Sequence, residues 1–302
     1  MRDLAGKVAV VTGGGSGIGR GISLGLAAEK MTVAVTAVRA DSAAAVEGSN
    51  GRMVVSGAPQ VLLLMAFQNK PGHPIHDVRV RRALNYAVNK EAYISAIMGG
   101  LTVPTGQPGA SSVNGYQDDI KPYPYNPAIA RSLLNAAGYP DGLDLVAEVV
   151  ANVSELRDVY QQVAADAAKV GINIEVREIT LPDLIARVRD TSKFGEATLF
   201  SFNMGSEPTM DIMRSINALH SCHSFTKWIC YEAIEGEIKA ANEEFDAEKR
   251  RGHLRKIAQF YHDNPPGIFL HEEVGVDGVK NTVKNYNPVN RVINWHQVTI
   301  SN

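Results

Sequence analysis

Residues 143–176 carry the pattern that most restricts how this chain can fold. Leu143, Leu145, Ala147 and Val149 are apolar at every second position, the period of a strand. Leu156, Val159, Tyr160, Val163, Ala167 and Val170 then recur at three, four and seven, the period of a helix face, and Gly171 closes that face. Ile172, Ile174 and Val176 return to alternation. Strand, helix and strand in so short a span predict two parallel strands joined by a crossover helix, and with them an α/β fold.

A second unit of this kind is read at the N-terminus. The apolar run Lys7–Val11 ends in Thr12-Gly13-Gly14-Gly15-Ser16-Gly17-Ile18-Gly19, a helical pattern follows with Ile22, Leu24, Leu26 and Ala27, and a second apolar run covers Met31–Val38. Glycines in such a turn supply positive φ and let a pyrophosphate approach a helix N-terminus. The spacing Gly13-x3-Gly17-x-Gly19 resembles the TGxxxGxG turn of short-chain dehydrogenases/reductases. That resemblance implies a Rossmann-like βαβ start over residues 1–48, with Gly13, Gly17, Gly19 and Arg39 on the cofactor side. Tyr86 and Lys90 satisfy the family's YxxxK spacing. Lys70–His76, however, has no serine where the family places one, and Asn135-Ala136-Ala137-Gly138 follows the tyrosine instead of preceding it. Tyr86 is therefore read as a residue of an amphipathic helix and the glycine turn as structural, with no cofactor expected. An NAD(P)-dependent oxidoreductase is kept as a minor alternative.

Past the turn-rich break Gly48-Ser49-Asn50-Gly51, helices and loops take over. Asp77 reads as an N-cap, with Val80, Leu84, Ala87 and Val88 as one stripe, and the proline-rich stretch Leu101–Pro127 as a loop. Asn126-Pro127 opens a helix whose buried face is Ile129, Leu133, Leu134 and Ala137, and Gly138 ends it. Leu181–Asp190 is expected as a helix, Ala197–Phe202 as a strand, and Tyr231–His262 as a long helical region interrupted near Gly252. Pro265-Pro266 ends that region before an extended Ile268-Phe269-Leu270.

Four phrases then carry a second resemblance: Asp77–Gly100, Tyr125–Leu145, Gly171–Ile179 and Asp263–Tyr286. Their order and spacing are similar to the C-terminal part of the family-5 solute-binding proteins of peptide and nickel ABC transporters. The resemblance covers about residues 52–302 and implies one lobe of a periplasmic-binding-protein-like (type II) fold. Such proteins close two lobes over a ligand and are about twice as long, so the chain is expected to be a chimera of residues 1–48 with residues 52–302, or a fragment. In peptide-binding members an aspartate before an acidic Pro turn pairs with the peptide α-ammonium, and here its place falls on Met204. Phe202, Asn203, Ser206 and Glu207 are the ligand-lining candidates by position. The lead reading is a ligand-binding module for a small molecule or peptide, truncated and not competent for transport.

Other chemistry is weighed beside it. His220, Cys222, His223 and Cys230 are the densest soft-ligand cluster, but lack a complete tetrahedral set. A Cys222–Cys230 disulfide suits an ancestral periplasmic setting, and inert thiols are the remaining option. Ser224-Phe225-Thr226-Lys227 matches SxxK, so Ser224, Lys227 and His223 are the catalytic candidates for an alternative hydrolase of the esterase type.

Composition narrows the partners. The chain has 302 residues, 45% of them hydrophobic and 21% charged, which suffices for a real core. A net charge of -2 gives no electrostatic reason to expect nucleic acid. The longest apolar run, Val61–Phe67, is far below the ~18 residues of a membrane span. The N-terminus lacks the combined marks of a secretory signal, so the expectation is a cytoplasmic chain from a periplasmic family. A truncated lobe leaves apolar surface, from which a homodimer is expected.

Overall fold

A computed structural model describes residues 5, 7–12, 17–36, 51–66, 72–150, 154–190, 193, 195–224, 229–290 and 292–301. The chain divides into two compact units: Met1–Ala58 with Val274–Asn302, and Pro59–Glu273. The junction expected between residues 48 and 52 falls largely outside the described residues.

In the first unit, strands β1 (Val8–Thr12) and β2 (Thr32–Thr36) flank helix α1 (Gly17–Ala28). They pair in parallel with Val8 opposite Thr32, as the N-terminal pattern predicts. β2 pairs antiparallel with β7 (Gly267–Lys280) at Val35–Gly278. Among the described residues the apolar cluster here is built on Val11, Met31 and Val33. A second cluster of Val279, Val283 and Tyr286 packs with Val54, Ile293 and Val298.

The second unit holds the long strand β3 (Gly51–Ala66) from Pro59 onward, and then helices α2 (Val78–Ala87), α3 (Lys90–Ala96) and α4 (Pro127–Ala136). β4 (Leu143–Val149), α5 (Ser154–Ala168), β5 (Ile172–Glu178), α6 (Leu181–Arg189) and β6 (Leu199–Gly205) follow. α7 (Glu232–Glu243) and α8 (Ala247–Asp263) complete it before β7. Its strands lie in the order β7-β3-β6-β4-β5. β4 runs parallel to both β5 and β6, and β3 runs antiparallel to β6.

The run Val61–Ala66 is continuously apolar because both faces of the sheet are covered. Leu62, Leu64 and Ala66 face α2, α3, α4 and α5 through Val80, Leu84, Tyr93, Leu134 and Val163. Val61 and Leu63 face α7 and α8 through Ile234, Ile238, Leu254 and Ile257, while Met65 meets Leu184 of α6. The result is helix, sheet and helix in three layers.

Local signals set the element ends. Asp77 caps α2 by accepting from the Arg79 amide, and Asn126 caps α4 by accepting from the Ile129 amide with Pro127 in the first turn. Two expectations need correction. The stripe from Val80 to Val88 does not lie wholly on α2, because the helix ends at Ala87 and Asn89 caps a new helix by accepting from the Ala92 amide. The interruption between α7 and α8 lies at Glu244–Asp246, not at Gly252. The Asp246 carboxylate accepts from the Glu248 and Lys249 amides there, while Gly252 sits inside α8.

Candidate functional site at the carboxyl ends of β4 and β6

The order in which the strands are visited defines the site. From β4 the chain passes through α5 to β5, then crosses back through α6 to β6 on the other side of β4. α5 packs on one face of the sheet, whereas the chain leaving β6 packs on the other through Ile212, Met213 and Ile216. Segments that diverge this way mark a topological switch point at the carboxyl ends of the two parallel strands, the place where open α/β sheets bind ligands.

Polar groups gather at that place. The Ser201 hydroxyl accepts from the Val150 amide at 2.8 Å, joining the end of β4 to β6. Tyr160 of α5 is buried beside Ser201, and desolvation pushes its phenol well above the usual range. Two residues on, the Asn203 amide donates to Glu273 Oε1 at 2.5 Å and lies 3.5 Å from Gln60 Oε1. Gln60 donates in turn to both oxygens of Glu207, at 2.9 and 3.1 Å. Two carboxylates are thus oriented by two side-chain amides, each from a different strand or strand end.

The backbone beneath them is tight. The Ser206 amide donates to Pro59 O at 2.9 Å, while Gly205 O accepts from Ser215 Oγ at 2.6 Å and from Arg214 at 3.3 Å. A Cβ at Gly205 would stand 3.3 Å from Glu207 Oε2 and 3.6 Å from the Arg214 guanidinium. Both side chains thus lie beside the strand end at Gly205.

The expected ligand-lining residues divide by strand alternation. Asn203 and Glu207 belong to this cluster and Ser206 joins it through its backbone amide, whereas Phe202 is half-buried on the opposite face beside Phe200, with ring centroids 6.1 Å apart. Met204 is fully buried against Val61, Leu63 and Ile212, so no ligand group meets a side chain there. Gln60, Tyr160, Ser201, Arg214 and Glu273 join the cluster without having been singled out in sequence. Their one local signal is polarity within apolar runs, as for Gln60 before Val61–Met65.

The remaining candidates lie elsewhere. Gly13, Arg39 and Lys227 fall outside the described residues, and Gly17 and Gly19 form the start of α1. Lys90 is fully buried at the α2–α3 junction, where Nζ donates to Asn85 O at 2.8 Å and lies 3.5 Å from Tyr123 O. Tyr86 packs edge-on against Tyr123. Cys222 and Cys230 form a disulfide, which withdraws both sulfurs as thiolate ligands. His223 is 89% exposed with Nε2 3.8 Å from Glu235, while His220 is buried against Tyr261. Ser224 is buried, and its amide donates to Ser221 O. Among the described residues no helix is long and apolar enough to cross a membrane.

A family model described as bacterial extracellular solute-binding proteins, family 5, middle, matches residues 23–224. The chain belongs to that family. The match starts inside α1 and ends at Ser224, so it takes in β4, β6 and the segment that leaves the site. The chain is similar to the dipeptide-binding protein of Escherichia coli K12, with 30% identity over 70% of this chain and 41% of that protein. It is similar also to a glutathione-binding protein of Pectobacterium atrosepticum, with 34% identity over 42% of this chain and 24% of the other. The chain therefore spans less than half the length of these curated relatives.

Solved structures show the same fold. The periplasmic binding protein DppA of Helicobacter pylori, in complex with the peptide STSA, superposes with a TM-score of 0.76 at 20% identity. The overlap covers 94% of this chain and 55% of that one. NikA of Staphylococcus aureus, in complex with Ni(L-His)2, gives a TM-score of 0.76 at 18% identity, covering 93% of this chain and 60% of the other.

Proposed function

We propose that this chain is a ligand-capturing part of a family-5 solute-binding protein, holding a peptide or small molecule with a free amine at the carboxyl ends of β4 and β6. The observation that carries the reading is the pair of carboxylates, Glu207 and Glu273, each fixed by a side-chain amide at the switch point. Two oriented carboxylates favour a cationic group, and with Met204 turned into the core Glu207 and Glu273 are the acids this reading assigns to a ligand's ammonium. The named ligands of the relatives, a dipeptide and glutathione, both carry such an amine.

The test is calorimetric titration and thermal shift of the purified chain with dipeptides, glutathione and Ni(L-His)2. A ligand at a hundred times its dissociation constant stabilises the native state by about 2.7 kcal/mol, an easily read shift. Free-amine dipeptides should bind and their N-acetylated forms should not. Glu207→Gln and Glu273→Gln should each weaken binding by roughly tenfold or more. Equal binding of acetylated and free peptides, or no shift with any ligand, defeats the reading.

We also read residues 1–48 as a dehydrogenase-like βαβ segment joined to a solute-binding lobe. The parallel pairing of β1 and β2 around α1 supports this, and the family match that begins at residue 23 weighs against it. A thermal shift with NADP that is lost on changing Gly17 or Gly19 to valine would give the segment a cofactor role. Self-association through unit one is our third proposal, since Val289, Val292, Trp295 and Ile300 are exposed there. A monomer by light scattering at all concentrations sinks it.

A further inference from the structure

The segment that leaves the site runs from Ser206 through a helical turn, Met213–Ser215, and a π-helical stretch, Ile216–His220, into Ser221–Ser224. His220 is 1% exposed, and among the described residues neither of its ring nitrogens has a hydrogen-bond partner. Its ring stands 5.7 Å from that of Tyr261 on α8, whose hydroxyl is also buried without a partner among the described residues. A neutral imidazole carries one donor and one acceptor, so three polar atoms are closed away from water in one place. Keeping them there is unfavourable, and local opening relieves it.

Three things hold the segment shut. The Cys222–Cys230 bond ties it to Ile229, which is fully buried in the cluster with Met65 and Phe200. Glu235 of α7 accepts from the Cys222 amide at 2.6 Å and from the Ser221 hydroxyl at 3.1 Å. Ile216 packs in the core beside Ile212. Of these, only the disulfide can be removed by chemistry without changing the sequence.

We propose that the Cys222–Cys230 disulfide is a redox latch whose reduction lets residues 216–224 open locally, exposing His220 and Tyr261 while the rest of the second unit stays folded. A dithiol reductant supplies the two electrons and two protons. One of its thiolates attacks a cysteine sulfur and the S–S bond breaks. The second thiolate then resolves the mixed disulfide, leaving two cysteine thiols and the oxidised reductant. Opening also takes up a proton. The titratable group facing His220 is Tyr261 from α8, which Tyr231 meets in turn, while Glu235 of α7 and His223 face each other and the Cys222 amide further along the segment. Burial holds His220 down to about 3, against 6.5 in water, so the open form gains roughly tenfold per pH unit as pH falls below 6.5.

This inference does not depend on which ligand the site takes. Amide hydrogen exchange, normalised to intrinsic rates, is measured on the intact protein at pH 7 before and after dithiothreitol. The Cys222→Ala/Cys230→Ala variant is measured without reductant. Protection over 216–224 should fall at least tenfold in both cases, with α5 and β5 unchanged. Lowering the pH of the reduced protein from 6 to 5 should cost those amides about another tenfold, an effect lost in His220→Leu and kept in Glu235→Gln. Unchanged protection of 216–224 after complete reduction overturns the latch, and so does simultaneous loss of protection throughout the second unit. Should the double variant fail to fold, the reductant titration of the unmodified chain decides alone.

Discussion

Lys90 keeps an amine out of water with only carbonyl oxygens to receive it, and burial pushes its pKa down to about 7. In the unfolded chain the amine titrates near its ordinary 10.5. Between about pH 7 and 10.5 the unfolded state binds one proton more than the folded state. Stability therefore rises with pH across that window, by about 1.4 kcal/mol per unit. Urea melts at pH 7.5 and 9 should show a gain of about 2 kcal/mol that the Lys90→Met variant lacks. His271, bonded through Nδ1 to the Tyr93 hydroxyl, is the acid counterpart, held down to about 4 by burial. Here the unfolded chain takes the extra proton between about pH 4 and 6.5, so stability is lost as pH falls through that range. His271→Asn should flatten that part of the profile in a pH series of thermal melts. YxxxK spacing alone made Tyr86 and Lys90 look like a pair with chemistry in common, whereas at the helix junction the lysine serves two backbone carbonyls. The same limit hid Gln60 and Glu273, which reach Glu207 and Asn203 from far along the chain.

Elements whose ends are written in short-range chemistry were the most legible. Asn126-Pro127 starts α4 where the sequence puts it, and Asn126→Ala should cost about 1 kcal/mol in a urea melt by leaving the Ile129 amide without its acceptor. Gly142 and Gly171 open β4 and β5 with φ near +90°, and a Cβ on Gly142 would fall 2.1 Å from Gly171 O. Gly142→Ala should therefore destabilise by roughly 2–4 kcal/mol, read as a lowered denaturation midpoint, because neither backbone can move without breaking the start of the parallel pair. The α7–α8 break shows the opposite case. A lone glycine inside a helix costs about 1 kcal/mol and is tolerated at 252, while the Asp246 cap gives two amides an acceptor and fixes the boundary there. β6 runs three residues past its expected end because β3 continues beside it, pairing Gln60 with Gly205. No pattern within residues 197–205 contains that partner.

At the scale of the whole chain the two units differ in the apolar clusters that their described residues form. The second has three clusters on both faces of its sheet, and the first has Val11, Met31 and Val33 with the group around Val279 and Tyr286. Local opening is cheapest where few apolar contacts are lost. Amides of β1 and β2 should accordingly exchange faster than those of β4 and β5, by at least a hundredfold in native-state hydrogen exchange. Comparable protection in the two units would show that they unfold as one. The amino-acid sequence by itself determined the class of fold, the crossover at residues 143–176, the caps at Asp77 and Asn126 and the family, because periodicity and capping act over a few residues and the family's phrases keep their order. Only the tertiary structure decided where the site lies and what completes it. A strand order that reverses at β4 and β6 is a property of the assembled sheet, and so is the meeting of Gln60, Asn203, Glu207 and Glu273. Groups that distant in sequence come within hydrogen-bond reach only after the intervening core has formed.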